Sequence, residues 1–340
     1  MKIFLTGNKG YVGNVLAEKF VKQNYEVTGC DMEFYPQEFV TSNHDKVTSL
    51  KKDIRDITKD DLVGHSVVAH LAALSNDPLG EINSSLTQDI NYLATIKLAK
   101  LSKEAGVERF IFSSSCSTYG ATDEVVNESG VLSPITEYAK SKVNSETKIL
   151  ELKDEHFSPI ILRSATAYGI SPSQRLDLVV NNLTCSAFTT GSVKLLSDGM
   201  SWRPLVHVED MSDAFIDVVK SPLEKVSGQI FNVGSNDENY MVKEIAGYVE
   251  EIVPNSKIEY SGDASKDSRS YRVEFDKIHD VIGYKTKWKL KDGIKQIYDL
   301  IKRKDFTEQE FKSEKYYRVL YIKWLINQGY IDNNFRMKHN

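Results

Sequence analysis

The sequence predicts an α/β fold in which a doubly wound parallel sheet is joined to a smaller mixed α/β lobe. In the first half of the 340 residues, short apolar runs alternate with stretches of helical periodicity. Parallel strands need crossover helices of this kind, whereas antiparallel strands can be joined by short turns. A glycine-rich turn at residues 7–13 also separates the first apolar run from the first helical stretch.

Five apolar runs in the first half are predicted strands of the parallel sheet. They are Lys2–Thr6, Glu26–Asp31, Val67–Leu71, Arg109–Ser113 and Ser158–Arg163. The helical stretches between them are Gly10–Gln23, Leu86–Ala105 and Tyr138–Leu152. A further strand candidate precedes Asp53. We expect right-handed crossovers, the near-universal hand for such connections.

Beyond Gly169 the alternation loosens, which indicates a second part of the molecule. The predicted elements there are helices at Leu178–Thr190 and Val208–Lys220 and strands at Val193–Leu196, Leu205–Val208 and Gln229–Val233. We expect residues 1–169, completed by about 203–235, to form the first domain. Residues 170–202 and 236–340 should form the smaller lobe, which ends in a helical C-terminal extension.

Composition and charge argue against several classes of function. The net charge of −5 disfavours binding to nucleic acid or to anionic membranes. No apolar run is long enough to span a bilayer. Three cysteines far apart do not form a disulfide framework, which favours a reducing cytoplasm. The seven histidines lack metal-ligand spacing, so no metal is expected.

The turn at residues 7–13, GNKGYVG, follows a strand and opens a helix. In such a turn Gly7 permits the tight bend, Gly10 lets a pyrophosphate approach the backbone, and Gly13 lets the helix pack closely on the sheet. Free N–H groups at the helix start would then bind the phosphates. The turn predicts a Rossmann-type dinucleotide-binding domain.

Asp31, at the end of the second predicted strand, indicates which dinucleotide is bound. A carboxylate 18 residues beyond Gly13 can accept both ribose hydroxyls of NAD and would repel the extra phosphate of NADP. The cofactor prediction is therefore NAD. Asp53 and Ile54 are candidates for the adenine edge, with an ordinary surface acid as the alternative.

Tyr138 and Lys142 stand four residues apart, hence on one face of a helix. The lysine ammonium, together with the positive nicotinamide ring, should lower the pKa of the tyrosine. Tyr138 could then take a proton from a substrate hydroxyl while NAD takes the hydride. Upstream, the predicted strand at residues 109–113 runs into a hydroxyl-rich end, residues 113–118, where active sites of open α/β sheets lie.

Together these features resemble the extended short-chain dehydrogenase/reductase family, the NAD-dependent nucleotide-sugar epimerases and dehydratases of the UDP-glucose 4-epimerase type. The resemblance implies that Ser115, four residues before Tyr119, is the catalytic serine beside Tyr138 and Lys142. It implies cofactor contacts from Tyr11, Val12, Leu71, Ala72, Ala73 and Asn91, and contacts to the nucleotide-diphosphate sugar from Ser75, Ser115, Cys116, Ser117, Asn182, Arg203 and Arg269. It also implies a homodimer formed through two helices of the first domain.

The residues after Ser115 bear on which reaction follows. The 4,6-dehydratases of this family carry an Asp-Glu pair there, whereas this chain has Cys116 and Ser117. A C4 epimerase needs no such pair, so the prediction is C4 epimerisation through a transient 4-keto sugar. The alternatives are a dehydratase or reductase of the same fold and a non-catalytic NAD-binding regulator. Cys116 remains either small packing or a proton carrier.

Overall fold

The structure is a computed structural model and describes residues 1–42, 44–80, 83–260 and 269–338. Its strands are β1 (Lys2–Thr6), β2 (Glu26–Asp31), β3 (Val47–Lys51), β4 (Val67–His70), β5 (Arg109–Ser115), β6 (Ala121–Val126), β7 (Ser158–Ser164), β8 (Thr166–Tyr168), β9 (Ser192–Leu195), β10 (Trp202–His207), β11 (Ile230–Val233), β12 (Asn239–Met241), β13 (Lys257–Tyr260) and β14 (Ser270–Val273). Its α-helices are α1 (Tyr11–Lys22), α2 (Asp77–Gly80), α3 (Ser84–Thr87), α4 (Ala94–Glu104), α5 (Glu137–Leu150), α6 (Val179–Thr190), α7 (Val208–Lys220), α8 (Leu223–Val226), α9 (Val242–Ile252), α10 (Asp276–Ile282), α11 (Leu290–Arg303), α12 (Glu308–Phe311) and α13 (Arg318–Asn327).

The central sheet has seven strands in the order β11-β7-β5-β4-β1-β2-β3, and all its pairings are parallel. The predicted Rossmann-type doubly wound sheet is thus confirmed. The chain runs outward from β1 through β2 to β3 and then returns to β4 on the other side of β1. In open α/β sheets the ligand crevice lies at the carboxyl ends of the strands at such a reversal.

Helices cover both faces of the central sheet, and β1 shows how the sequence achieves this. Its side chains alternate between faces: Ile3 and Leu5 lie in one buried cluster, with side chains of α1 and α7, and Phe4 lies in another. The second cluster contains side chains of α4 and α5, including Leu98 and Ile149. Successive residues of a strand point to opposite faces, so a strand with an unbroken apolar run, such as Ile3–Leu5 of β1, is expected between two helical layers.

The later part of the chain builds smaller sheets. These pair β12 with β10 and β10 with β8, β13 with β9, and β14 with β6. Of the stretch 203–235 that was expected to complete the first domain, β11 joins the central sheet and α7 packs beside α1, but β10 lies in the sheet with β8 and β12. A four-residue apolar run marks a buried strand without showing which sheet it joins.

The predicted helix at 86–105 contains an irregularity that periodicity did not reveal. Residues Gln88–Leu93 form a π-helical turn between α3 and α4. Such turns insert one residue into a helix and are frequent at functional sites. Here the turn carries Asn91, which is fully buried.

The C-terminal residues fold back over the first part of the chain. After α11 come α12, a short 3-10 turn at Glu314–Tyr316, and α13. Side chains of α13 and of the residues after it form a buried cluster with side chains from the loop after β4 and from α3; its buried members are Leu74, Leu79, Leu86, Ile322, Leu325, Ile331 and Phe335. No helix within the described part of the chain is long and apolar enough to cross a membrane.

Candidate active site

A cavity of about 810 Å³ opens at the carboxyl ends of β1, β2, β4 and β5. This volume lies within the range usual for ligand sites. The predicted site residues that line it are Gly7, Gly10, Tyr11, Val12, Gly13, Asp31, Asp53, Ile54, Leu71, Ala72, Ala73, Ser75, Ser115, Ser117, Tyr138, Lys142, Asn182, Arg203 and Arg269. The structure does not bring Asn91 or Cys116 to the cavity wall.

The glycine turn has the geometry that a bound pyrophosphate requires. Gly7 has a φ of +76°, and its N–H donates to the Cys30 carbonyl at 2.8 Å. A Cβ at Gly13 would lie 1.9 Å from the Gly7 carbonyl oxygen, and one at Gly10 would lie 3.1 Å from it. Side chains at these positions would therefore disrupt the cradle, so the residues present fit a dinucleotide phosphate group.

Asp31 ends β2 beside this turn. One carboxylate oxygen accepts the Lys9 N–H at 3.1 Å and the other accepts the Glu33 N–H at 2.7 Å. Burial raises the pKa of Asp31, and the two backbone N–H groups oppose that rise. The carboxylate is held in place while retaining acceptor capacity for ribose hydroxyls.

Ser115, Tyr138 and Lys142 meet at the carboxyl end of β5. The Thr136 hydroxyl caps α5 by accepting the Ala139 N–H at 3.2 Å, and the helix begins at Glu137, one residue before Tyr138. One turn later, the Lys142 ammonium donates to the Ser113 carbonyl at 2.7 Å and lies 5.6 Å from the centre of the Tyr138 ring. The Ser115 hydroxyl accepts the Ser117 N–H at 3.1 Å and lies close enough to Tyr138 to favour the ionised phenol, which lowers the pKa of Tyr138.

The protonation of this cluster differs from the expectation for Tyr138. Burial, reinforced by the nearby Asp77 carboxylate, raises the pKa of Tyr138 above its usual range. Burial also lowers the pKa of Lys142 to about 7, so the lysine carries only part of its charge near neutrality. In the chain alone, burial of the phenol therefore dominates its pKa; the predicted lowering also required the positive nicotinamide ring of a bound cofactor and stays a prediction.

Behind Lys142 lies a buried network that the sequence did not reveal. Glu146 accepts a hydrogen bond from Ser114 and pairs with Arg163 at 2.6 Å, and both charged side chains are 3% exposed. Glu146 is four residues after Lys142, so the two share a helix face. Its charge opposes the burial that lowers the lysine pKa. The four-residue spacing between Lys142 and Glu146 was the sequence signal that could have indicated this network.

Asn91 and the end of β1 position the loop that follows β4. The Asn91 side chain accepts the Leu74 N–H at 2.8 Å and donates to the Leu74 carbonyl at 3.1 Å. The Thr6 hydroxyl accepts the N–H groups of Leu71 and Ala72, both at 3.2 Å. Asn91 thus supports the cavity wall rather than forming part of it.

Cys116 and Ser117 occupy different environments. Cys116 is fully buried, and its thiol donates to the Arg163 carbonyl at 3.2 Å. Burial raises the pKa of this thiol well above its usual range, so it resists forming a thiolate. Packing is therefore the role that fits Cys116, and its predicted contact with substrate is not supported. Ser117 lies at the cavity.

Arginines line the side of the cavity formed by the later part of the chain. Arg203 donates to the carbonyls of Trp202 and Arg269, and Arg269 forms an ion pair with Asp77. Asp267 and Ser268, the two residues before Arg269, lie outside the described residues. Asn182 also lines the cavity, and its side chain donates to the Leu176 carbonyl at 2.7 Å.

Arg175 is a cavity residue that the sequence reasoning missed. It forms an ion pair with Asp177 at 2.9 Å and contacts the Ser75 hydroxyl at 3.4 Å. Arg175 is 6% exposed. Ser75 stands 100 positions earlier in the chain, so no local spacing could indicate the contact.

Asp53 lines the cavity and is buried rather than a surface acid, and its proximity to adenine stays a prediction. It forms ion pairs with Arg55 at 2.7 Å and with Arg336 at 3.2 Å. Arg55 also donates to the Asn334 carbonyl at 2.9 Å. These contacts attach the C-terminal residues to the rim of the cavity.

Comparisons with known proteins agree with this geometry. A model of the NAD dependent epimerase/dehydratase family matches residues 3–234. The dTDP-D-glucose 4,6-dehydratase of Homo sapiens is 25% identical over 314 residues, covering 87% of this chain and 88% of that protein. The UDP-glucose 4-epimerase of Mycolicibacterium smegmatis is 25% identical over 319 residues, covering 89% and 99%.

A solved structure shares the fold over most of the chain. UDP-glucuronic acid 4-epimerase from Bacillus cereus, in complex with UDP-glucuronic acid and NAD, superposes with a TM-score of 0.78 at 23% identity. The match covers 89% of this chain and 99% of that one. About a tenth of this chain therefore lies outside the shared fold.

Proposed function

Because the chain belongs to the NAD-dependent epimerase/dehydratase family and is therefore an NAD-dependent enzyme, we propose that it interconverts the C4 epimers of a nucleotide-activated sugar. The observation that carries this proposal is the placement of Ser115, Tyr138 and Lys142 together in the same cavity as the glycine turn. A module that only bound NAD would not need a buried acid–base cluster beside it.

The chain's own residues account for the proton transfers of such a reaction. Bound NAD supplies the hydride acceptor, and later the hydride donor, for sugar C4. Tyr138 acts from its ionised form, which takes the proton of the C4 hydroxyl while Ser115 donates a hydrogen bond to the same oxygen. Burial opposes that ionised form, so the protonated fraction of Lys142 and the positive nicotinamide ring must stabilise it. After the 4-keto sugar turns its other face to the cofactor, Tyr138 returns the proton to that oxygen.

The residues after Ser115 favour epimerisation over dehydration. Removing water across C5 and C6 needs an acid for the leaving hydroxyl and a base for the C5 proton. Cys116 is buried away from the cavity, and Ser117 has no carboxyl group. Relatives named UDP-glucose 4-epimerase and dTDP-D-glucose 4,6-dehydratase support a nucleoside-diphosphate hexose as the substrate class. Arg203 and Arg269 supply guanidinium groups suited to its diphosphate.

The proposal is tested by incubating the purified protein with UDP-, GDP-, CDP- and dTDP-sugars in deuterated water and analysing products by NMR. Inversion at C4 without deuterium uptake is expected. Deuterium at C3 or C5, or loss of water, would contradict epimerisation, and loss of water would indicate a dehydratase.

A matched pair of variants tests the assigned base. Tyr138→Phe should lower turnover by about 10²- to 10⁴-fold, the usual contribution of general acid–base catalysis, while NAD still binds. Tyr260→Phe, at a tyrosine that is 59% exposed, should leave turnover unchanged. Full activity in Tyr138→Phe would refute the mechanism.

We further propose a homodimer, a cytoplasmic location and a role in carbohydrate biosynthesis. Leu93, which is 57% exposed in the π-helical turn before α4, and the half-buried Tyr92 and Ile96 beside it support pairing through the helix that α4 continues, together with α5. The described cysteines are buried free thiols, which suits a reducing compartment. Light scattering should give twice the monomer mass, and Leu93→Glu should reduce it. Cell fractionation checks the location.

A further inference from the structure

Arg318, the first residue of α13, is buried without a counter-charge. It is 2% exposed, and its Nη2 donates to the carbonyl and the hydroxyl of Ser173, both at 2.9 Å. Its guanidinium lies 3.9 Å from the centre of the Tyr35 ring. Within the described ranges, Nη1 has no hydrogen-bond partner and no carboxylate pairs with the group. The nearby Asp177 is already paired with Arg175.

An isolated buried cation is costly unless a ligand neutralises it. Burial lowers the pKa of Arg318 to about 10, so the guanidinium is still charged at neutral pH. Leaving such a charge unpaired in the interior is strongly destabilising. A buried guanidinium without a counter-charge is therefore suited to binding an anion.

The surroundings of Arg318 indicate which anion. Arg318 lines the same cavity as the glycine turn and Asp31. Its charge opposes the burial that raises the pKa of Asp31, so the two groups are electrostatic neighbours. The first turn of α13 lines the cavity as well, and the N-terminus of a helix of this length favours negative charge.

The C-terminal residues around Arg318 are held against the cofactor side of the cavity. Arg336 pairs with Asp53, and Phe335 is buried against residues of the loop after β4. The arginines suited to a substrate diphosphate, Arg203 and Arg269, come from a different part of the chain, and Arg269 pairs with Asp77. Arg318 is thus associated with the dinucleotide, whose anionic group is the pyrophosphate held at the glycine turn.

We propose that Arg318 binds the pyrophosphate of NAD, so that the C-terminal segment of residues 314–338 supplies a ligand to the cofactor site and retains the cofactor. This inference rests on the proposed function only in taking NAD as the ligand. The glycine turn would then approach the pyrophosphate with backbone N–H groups, and Arg318 would supply a charged donor through Nη1.

The test measures cofactor affinity rather than turnover. Full-length protein freed of cofactor is titrated with NAD, ADP, adenosine and UDP by calorimetry, as wild type and as Arg318→Met, Arg318→Lys and Arg303→Met. Arg318→Met should weaken the binding of NAD and of ADP by about 10- to 100-fold, the loss typical of a hydrogen bond to a charged group. The NAD affinity of Arg318→Lys should lie between those of Arg318→Met and the wild type. Arg303→Met, at an exposed arginine, should change nothing.

Titrations with adenosine and UDP show which part of the cofactor Arg318 contacts. Adenosine and UDP affinities should be the same in wild type and Arg318→Met, because neither contains the cofactor's pyrophosphate. Thermal unfolding without cofactor should show that the Met and Lys variants fold, while the NAD-induced rise in melting temperature shrinks.

Each contrary result has a distinct meaning. Equal NAD affinity in wild type and Arg318→Met would overturn the assignment. So would an equal loss of adenosine affinity, or a loss confined to UDP, which would assign Arg318 to the substrate. NAD binding by the wild type without turnover of any nucleotide sugar would overturn the proposed function and leave the role of Arg318 standing.

Discussion

At the residue scale, Lys142, the lysine of the proposed active site, is held in an environment that resists its charge. Lys142 is 3% exposed, and burial lowers its pKa from 10.5 to about 7. Its nearest stabilising contact is the Ser113 carbonyl at 2.7 Å, and the Glu146 carboxylate only partly offsets the desolvation. A lysine poised near neutrality can respond to the charge of the bound cofactor and of the Tyr138 oxygen.

This depressed pKa predicts a pH dependence of stability. Between about pH 7 and 10.5 the folded protein holds Lys142 neutral while the unfolded chain keeps it protonated. The unfolded state binds more protons, so the free energy of unfolding should rise with pH, by roughly 4 kcal/mol across this window. Below about pH 7 both the folded and the unfolded state hold the proton on Lys142, so this group should no longer change the free energy of unfolding. Denaturant unfolding of the cofactor-free protein measures it.

Two variants isolate the contribution of Lys142. Lys142→Met should remove most of the rise and be more stable than wild type at pH 7, because the cost of burying the ammonium is gone. Lys225→Met, at an exposed lysine, should keep the wild-type slope. An unchanged slope in Lys142→Met would show that other groups cause it.

Sequence reasoning reached the site residues that stand in local patterns and missed those that do not. The glycine turn, Asp31 and the Tyr138–Lys142 pair were identified because short spacings encode their geometry. Arg175 and Arg318 were not, since each reaches the cavity from an element far along the chain. No local spacing specifies how such an element packs.

At the element scale, the glycine turn fixes how closely α1 approaches β1. A Cβ at Gly13 would lie 1.9 Å from the Gly7 carbonyl oxygen and 2.9 Å from the Asn8 Cα, both backbone atoms. Backbone cannot yield as a flexible side chain can, so α1 would have to move away from the sheet. The phosphate cradle would open with it.

Gly13→Ala should therefore lower the free energy of unfolding by about 2–3 kcal/mol and abolish NAD binding. The matched control is Gly247→Ala, inside α9, where an added Cβ meets nothing within 4 Å. That substitution should stabilise the protein by about 0.5–1 kcal/mol, because alanine favours a helix interior over glycine. Chemical denaturation and NAD titration of both variants provide the measurement. Normal NAD affinity in Gly13→Ala would contradict this account.

Elements were predicted best where one physical signal defined them. Strands β1 and β2 were predicted with their observed bounds, since buried parallel strands are short apolar runs. The π-helical turn at Gln88–Leu93 was not predicted, because it interrupts the helix without breaking its apolar periodicity. The sheet that β10 joins depends on its long-range pairing with β8 and β12.

At the scale of the whole molecule, the C-terminal segment (residues 314–338) packs against the first part of the chain at the rim of the cavity. Ile322 and Phe335 pack in one buried cluster with Leu74, which Asn91 fixes in the loop after β4. If Arg318 binds the cofactor, closure of the segment and NAD binding must stabilise each other, since linkage between two equilibria is reciprocal. NAD should then slow hydrogen exchange of the backbone amides of residues 318–335.

Loosening the segment at a distance from Arg318 tests this coupling. Phe335→Ala removes a side chain that is 2% exposed, at a cost of about 3–5 kcal/mol to packing of the segment. Exchange of the segment should accelerate and NAD affinity should fall, while amides of β5 and β7 in the central sheet stay protected. Met337→Ala, at a residue 38% exposed, should change neither. If NAD left exchange of residues 318–335 unaltered in the wild type, the segment would not be coupled to the cofactor, and retention of NAD would depend on the glycine turn and Asp31 alone.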